Sequence, residues 1–339
     1  MHSRGHAVGR VAFGATILDA TGTRLSPGEK AFFASADPFG FILFARNIET
    51  PDQVRALTSD MRDAVGRDAP ILIDQEGGRV QRMCAPVWRD WLPPLDHVEA
   101  AGAAAVEAMY LRSRIIADEL RGVGVDANCA PLVDVAVDGT HAFLMNRCYG
   151  RDPEHVAEIG RAVADGLLAG GVLPVVKHMP GHGRATVDSH FGLPETGVAL
   201  EVLTETDFAP FKALNDLPMG MTGHVVYSAL DARPATLSPV VMGHIRKEIG
   251  FDGLIMTDDI TMKALDAPLD QLAQDSLEAG CDVVLLCNAS LEDRRRVSEA
   301  AGQMTIEAQV RAERAIAARS APDEVDISAL EAKLVALTA

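Results

Sequence analysis

The sequence predicts an α/β fold, a single (β/α)8 TIM-type barrel spanning residues 1–339 with long loops after its strands. Three observations carry that expectation. Eight short apolar runs recur along the chain, helical patterns fill the gaps between them, and charged or imidazole side chains collect where the runs end. Eight strands alternating with helices is the number that closes a parallel barrel.

The runs come in order. They are VAFGATI (11–17), FGFILF (39–44), PILID (70–74), VDANCAPLVD (125–134), VLPVVKH (172–178), MGMTGHVV (219–226), GLIMTDD (253–259) and DVVLLC (282–287). Each is short and continuously apolar, as a strand buried on both faces should be. The stretch 50–65 reads as a helix, with Thr50 as N-cap and Pro51 at its first position. Residues 97–124 read as one long alanine-rich helix stopping at glycine. Residues 152–171 carry an Asp152 cap, Pro153 and a Gly-Gly end, and 237–250 and 269–280 repeat the scheme. The last ~50 residues read as closing helices from their spacing. An open doubly wound sheet would want G-x-G-x-x-G opening a helix, and GHGRA at 181–185 does not supply it.

Bulk composition narrows the function. The 339 residues are 48% hydrophobic, enough for a large core. Net charge is −17, which argues against a nucleic-acid partner, since phosphate binding needs clustered Lys and Arg. Five scattered cysteines without a C-x-x-C pair fit reduced thiols rather than a disulfide framework. The N-terminal apolar run is short and broken by Gly14, Thr16 and Asp19, unlike a signal peptide. No stretch approaches the ~20 apolar residues of a membrane span. A soluble cytoplasmic protein without a membrane partner is expected.

A barrel of this kind places its site at the C-terminal ends of the strands. There the third run ends in Asp74, Gln75 and Glu76, followed by Arg79 and Arg82. The fourth ends in Asp134, ahead of a loop carrying Asn146 and Arg147. The fifth ends in Lys177 and His178, the sixth near His224, and the seventh in Asp258 and Asp259. Any one of these can simply cap a helix or pair with a neighbour; their convergence on one rim is harder to explain that way. Asp258 and Asp259 point opposite ways if the strand persists, so at most one of them faces the axis.

The loop KHMPGHGRATVDSH, 177–190, is the sharpest clue. Its proline and glycines make an irregular path that suits a moving loop. Asp188 can accept a hydrogen bond from His190, orienting the ring and supporting its charged form, which is a general acid/base device. The bland alternative is an Asx turn with a solvent-facing histidine. A metal site is the chemical rival: His178, His182, His190 and Asp258 could ligate zinc. The spacing matches no helix-borne pair, and Lys177 places a cation where a metal would sit. No cofactor or metal is expected.

At ILFARN (42–47), IDQEGGRVQR (73–82), KHMPGHG…VDSH (177–190) and IMTDDITM (255–262) the chain resembles the glycoside hydrolase family 3 β-N-acetylhexosaminidases of the single-domain bacterial NagZ type. The likeness runs over nearly the whole chain. It implies Asp258 as nucleophile, His190 as acid/base and Asp188 as its partner. It implies Asp74, Arg82, Arg147, Lys177 and His178 as holders of the sugar. The implied activity is a retaining exo-β-N-acetylglucosaminidase acting through a covalent glycosyl-enzyme on peptidoglycan fragments of the GlcNAc-anhydro-MurNAc type, in muropeptide recycling. The family reads GHGDT where this chain has GHGRAT, so Arg184 replaces an acidic residue, which bears on loop packing and aglycone preference. The rival readings are a metal-dependent hydrolase on the same barrel and a non-catalytic sugar-binding protein. The latter would need neither Asp258 nor the Asp188–His190 pair.

Overall fold

A computed structural model of the chain describes residues 12–185 and 192–339. All eight apolar runs contribute a strand: β1 (Gly14–Asp19), β2 (Pro38–Leu43), β3 (Ile71–Ile73), β4 (Ala127–Asn128), β5 (Leu173–Met179), β6 (Met219–Thr222), β7 (Leu254–Met256) and β8 (Val284–Leu286). They pair in parallel in one sheet, β7-β6-β5-β4-β3-β2-β1-β8. A parallel bridge between Met256 and Val283 joins the two edges and closes the ring. Helices flank the strands, and the result is the (β/α)8 barrel the runs predict.

Side-chain parity sorts the core. Ile17, Leu72, Val175, Met221, Leu254, Met256, Val283 and Leu285 fall in one buried cluster, the filling of the barrel. Leu18, Ile73, Val176, Ile255, Val284 and Leu286 fall in the other, packed against the helices. Successive strand residues face opposite ways, so each strand serves both. Two residues beyond Leu72, Val175 and Met256 stand Asp74, Lys177 and Asp258, which line one cavity. The strands themselves therefore aim the polar residues.

Local chemistry explains the helix starts. The Thr50 side chain accepts from Gln53 N ahead of Pro51–Val65, and Asp152 from Glu154 N ahead of Pro153–Ala169. Ser26 and Glu29 form a reciprocal capping box before Pro27–Ala36. The expected single helix over 97–124 is two, Pro94–Ala101 and Ala105–Arg121. Gly102 breaks it by adopting φ +52, which ends the first helix with a short 3-10 turn after it. The fourth run forms a strand over only two residues and meets β5 again at a single parallel bridge, Leu132 to Lys177, on its way to Asp134.

Candidate active site

After β3 the chain makes a tight hairpin, Gln75–Gly77 against Val80–Gln81. The Gln75 side chain pins its return: Oε1 accepts from the backbone N of Arg82 (3.0 Å) and Met83 (3.1 Å), and Nε2 donates to Met83 O (2.8 Å). That fold-back brings Arg82 Nη2 to 3.0 Å from Asp74 Oδ2. Lys177, from β5, donates to Asp74 Oδ1 at 2.9 Å and reaches Glu76 Oε1 at 2.6 Å. Arg147 grips Glu76 with two parallel bonds, Nε at 2.9 Å and Nη2 at 2.8 Å. Three cations and two carboxylates thus interlock beside the axis. Burial alone would raise the Asp74 carboxyl, but Lys177 and Arg82 hold it far below its usual range. Against the same burial, Arg147 and Lys177 bring Glu76 down to about 2. The Lys177 ammonium, though buried, is held charged by those two carboxylates.

His178 is set by Asp134, whose Oδ2 lies 2.8 Å from Nδ1. The other Asp134 oxygen accepts from the backbone N of His182 at 2.6 Å and of His178 at 3.3 Å. Asp134 therefore orients the ring and clamps the start of the following loop. His182 is pushed down to about 4, first by burial and then by neighbouring His178, and stays neutral near pH 7. Arg184 pairs with buried Asp207 (Nε to Oδ2, 2.7 Å) and donates to Thr206 Oγ1 at 3.1 Å. The residue that departs from the family pattern thus anchors the loop's base. Gly183 is required there, because a Cβ would meet Val135 O at 1.9 Å.

The end of β7 is built differently. Among the described residues, Asp258 Oδ1 accepts only from the backbone N of Asp259, at 2.8 Å. Burial would raise its carboxyl, yet His178, His224, that N–H and Lys177 keep it below the ordinary value, so it is ionised at neutral pH. Asp259 is spent on structure: it accepts from Thr261 N (3.0 Å), Thr261 Oγ1 (2.7 Å) and Cys287 N (3.1 Å). Burial pushes its carboxyl up to about 6.

One cavity of about 500 Å³ is lined by Asp74, Arg82, Arg147, Lys177, His178 and Asp258 together. The six described residues that the sequence proposed for the site share it. The other two, Asp188 and His190, lie outside the described residues. Sequence reasoning noted Glu76 and Asp134 at strand ends but assigned neither a place. Glu76 sits two residues after Asp74 on the same parity, a signal that could have found it. Among the described residues no group of three or more His, Cys, Asp or Glu is disposed to hold a metal. The space between Asp74 and Glu76 is occupied by the Lys177 ammonium.

A cavity at the C-terminal mouth of a barrel, with an ionised carboxylate beside a crown of charge pairs, suits sugar chemistry. The family model for the glycosyl hydrolase family 3 N terminal domain matches residues 24–317. The chain belongs to glycosyl hydrolase family 3. The beta-hexosaminidase of Methylococcus capsulatus is 41% identical over 278 residues, 80% of this chain and 82% of that protein. That of Neisseria gonorrhoeae (strain ATCC 700825 / FA 1090) is 37% identical over 285 residues, covering 81% and 78%. Among solved structures, NagZ from Neisseria gonorrhoeae in complex with zinc ion superposes with TM-score 0.81 at 30% identity over 97% of both chains. The same protein with N-trifluoroacetyl-D-glucosamine gives TM-score 0.78 at 30% identity, covering 97% and 99%. The family 3 chain is accordingly an enzyme, a glycoside hydrolase of the β-N-acetylhexosaminidase kind. Among the described residues no helix is long and apolar enough to cross a membrane.

Proposed function

We propose that this family 3 enzyme is a retaining exo-β-N-acetylglucosaminidase that removes non-reducing terminal GlcNAc from peptidoglycan fragments in the cytoplasm. The observation that carries the reading is Asp258: an ionised, half-buried carboxylate at the end of β7 to which, among the described residues, one backbone N–H and no cation is bonded. Such a group is available to attack an anomeric carbon. The neighbouring carboxylates Asp74 and Glu76 are not, because cations hold them.

In this reading Asp258 forms the C–O bond of a covalent glycosyl-enzyme while His190, oriented by Asp188, gives its proton to the leaving oxygen. Neutral His190 then takes a proton from the water that hydrolyses the intermediate. Asp74, Arg82, Lys177, His178 and Arg147 hold the terminal sugar's hydroxyls, and their mutual pairs fix them before it arrives. The GlcNAc preference rests on the relatives' names and on the N-trifluoroacetyl-D-glucosamine bound by gonococcal NagZ.

The test has two arms. Aryl β-GlcNAc should be cleaved and aryl β-glucoside left, and a fluorinated GlcNAc glycoside should add one sugar mass to the peptide containing Asp258. A label on any other residue would remove the nucleophile assignment. His190→Ala should lose most on poor leaving groups and least on activated aryl glycosides; equal losses on both would count against the acid role.

A further inference from the structure

The cavity's outer rim differs in charge from the protein around it. The chain carries −17. Yet of the cavity-lining side chains that stand exposed among the described residues, the charged ones are Arg46 and Arg79. Each guanidinium lies against a ring that also lines the cavity: Arg46 is 4.8 Å from the centre of Phe44 and Arg79 4.0 Å from that of Phe143. A cation beside an aromatic face can meet the apolar side of a sugar and an anion on it at once.

Arg46 is also held from behind. It donates to Asn288 Oδ1 at 2.6 Å and to Asp19 Oδ2. Asp19 ends β1 and is fully buried. Its other oxygen lies 2.6 Å from Arg294 Nη2, and buried Arg294 reaches Glu29 Oε1 at 3.4 Å. Charges of alternating sign thus run Glu29, Arg294, Asp19, Arg46 from the barrel wall to the cavity. Buried charges carry a desolvation cost, which makes a chain of them a weak way to gain stability alone. What it does secure is the direction of the last guanidinium. Those bonds to Asn288 and Asp19 commit two of its five N–H donors. At about 500 Å³ the cavity is of the size that takes a drug-sized ligand, so a unit beyond the terminal sugar has room in it.

Resting on the proposed function, we propose that Arg46 is a specificity-determining residue that selects a leaving unit bearing a carboxylate, with Asp19 as its positioning residue. The carboxylate can belong to an acidic sugar or to an amino-acid chain joined to that sugar; the fork of Arg46 recognises either.

The experiment compares three disaccharides on the full chain: GlcNAc β-linked to N-acetylmuramic acid with its carboxyl free, with that carboxyl as a primary amide, and with it joined to a short peptide ending in free carboxylates. The readout is the ratio of kcat/KM between each carboxylate substrate and the neutral amide, which a general loss of enzyme does not move. Wild type should favour at least one carboxylate substrate by roughly fivefold, mostly through KM, the size of one partly exposed charge contact. Which substrate is favoured identifies the source of the carboxylate. Arg46→Gln should bring the ratio close to one, and Arg46→Lys should restore part of it. A wild-type ratio near one for both carboxylates, or a ratio that Arg46→Gln leaves unmoved, would overturn the proposal and leave the exo-glycosidase reading intact. Should Arg46→Gln not fold, the wild-type ratio and Arg46→Lys still decide. Failure of wild type to cleave aryl β-GlcNAc would overturn both readings.

Discussion

Two walls of one cavity treat their carboxylates in opposite ways. On the β3–β5 side, Asp74 and Glu76 are each gripped by two cations. At the end of β7, the Asp258 and Asp259 side chains bond, among the described residues, only to neutral N–H and O–H donors. The first wall sets three cations against two carboxylates, is rigid, and is full of donors set at fixed positions. The second keeps one negative charge within reach of a ligand. On the proposed function the difference separates holding from reacting: a carboxylate locked by cations is a poor nucleophile but a good brace for neighbouring donors.

Substitutions can break the contrast at either wall. The largest effect belongs to Asp258→Asn, which keeps the shape and the acceptor for Asp259 N but removes the charge. Its kcat on aryl β-GlcNAc should fall on the order of 10⁴-fold or more, with a cooperative unfolding curve retained. Wild-type-like turnover would show that the charge left free at β7 is not the reacting one. Next comes Glu76→Ala. It strands Arg147 in a buried site and takes one of two partners from Lys177, so stability should fall by about 3–5 kcal/mol, read from urea unfolding. A loss under 1 kcal/mol would mean that the brace is not one. Arg184→Ala tests a smaller pair of the same kind. Asp207 is buried and Arg184 is its cation, partly exposed, so a loss of about 1–3 kcal/mol is expected. Midpoints that match wild type would show the loop base anchored by its backbone bonds alone.

Much of this was legible in the sequence because barrel strands are buried on both faces and read as short apolar runs. Strand ends then placed Asp74, Lys177 and Asp258 at one rim without any contact being known. Parity favoured at most one member of the Asp258–Asp259 pair, and the structure shows why both nonetheless reach the cavity. Beyond Met256 the ladder gives way to loop, and alternation no longer governs. What the sequence could not show is which charges cancel. Arg147 and Glu76 are 71 positions apart, and Lys177 and Asp74 are 103. Local pattern contains no record of such pairs, so Glu76 went unassigned and Arg147 received its role from family likeness alone. The same holds for Arg184, whose partner sits 23 residues on. The broken helix at Gly102 has another cause: alanine-rich patterning continues across it, and only the backbone angle ends it.

The smallest expected effect sharpens the contrast within the second wall itself, where adjacent aspartates titrate in opposite directions. Asp258 has its carboxyl lowered on folding, so its contribution to stability is present above the unfolded value near 3.8 and is lost as pH falls. Asp259 has its carboxyl raised to about 6, so its contribution is full below about 3.8 and is lost as pH rises through 6. Asp259→Asn removes that second dependence while an amide oxygen still accepts from Thr261 N and Cys287 N. The variant should therefore gain on wild type steadily between pH 4 and pH 6 and hold a constant difference above pH 7, measured by urea unfolding across that range. On the proposed function it should also stay far more active than Asp258→Asn, because the carboxylate proposed as nucleophile remains. A stability difference that is flat with pH would show that burial does not set the Asp259 proton, and the two aspartates would then differ by geometry alone.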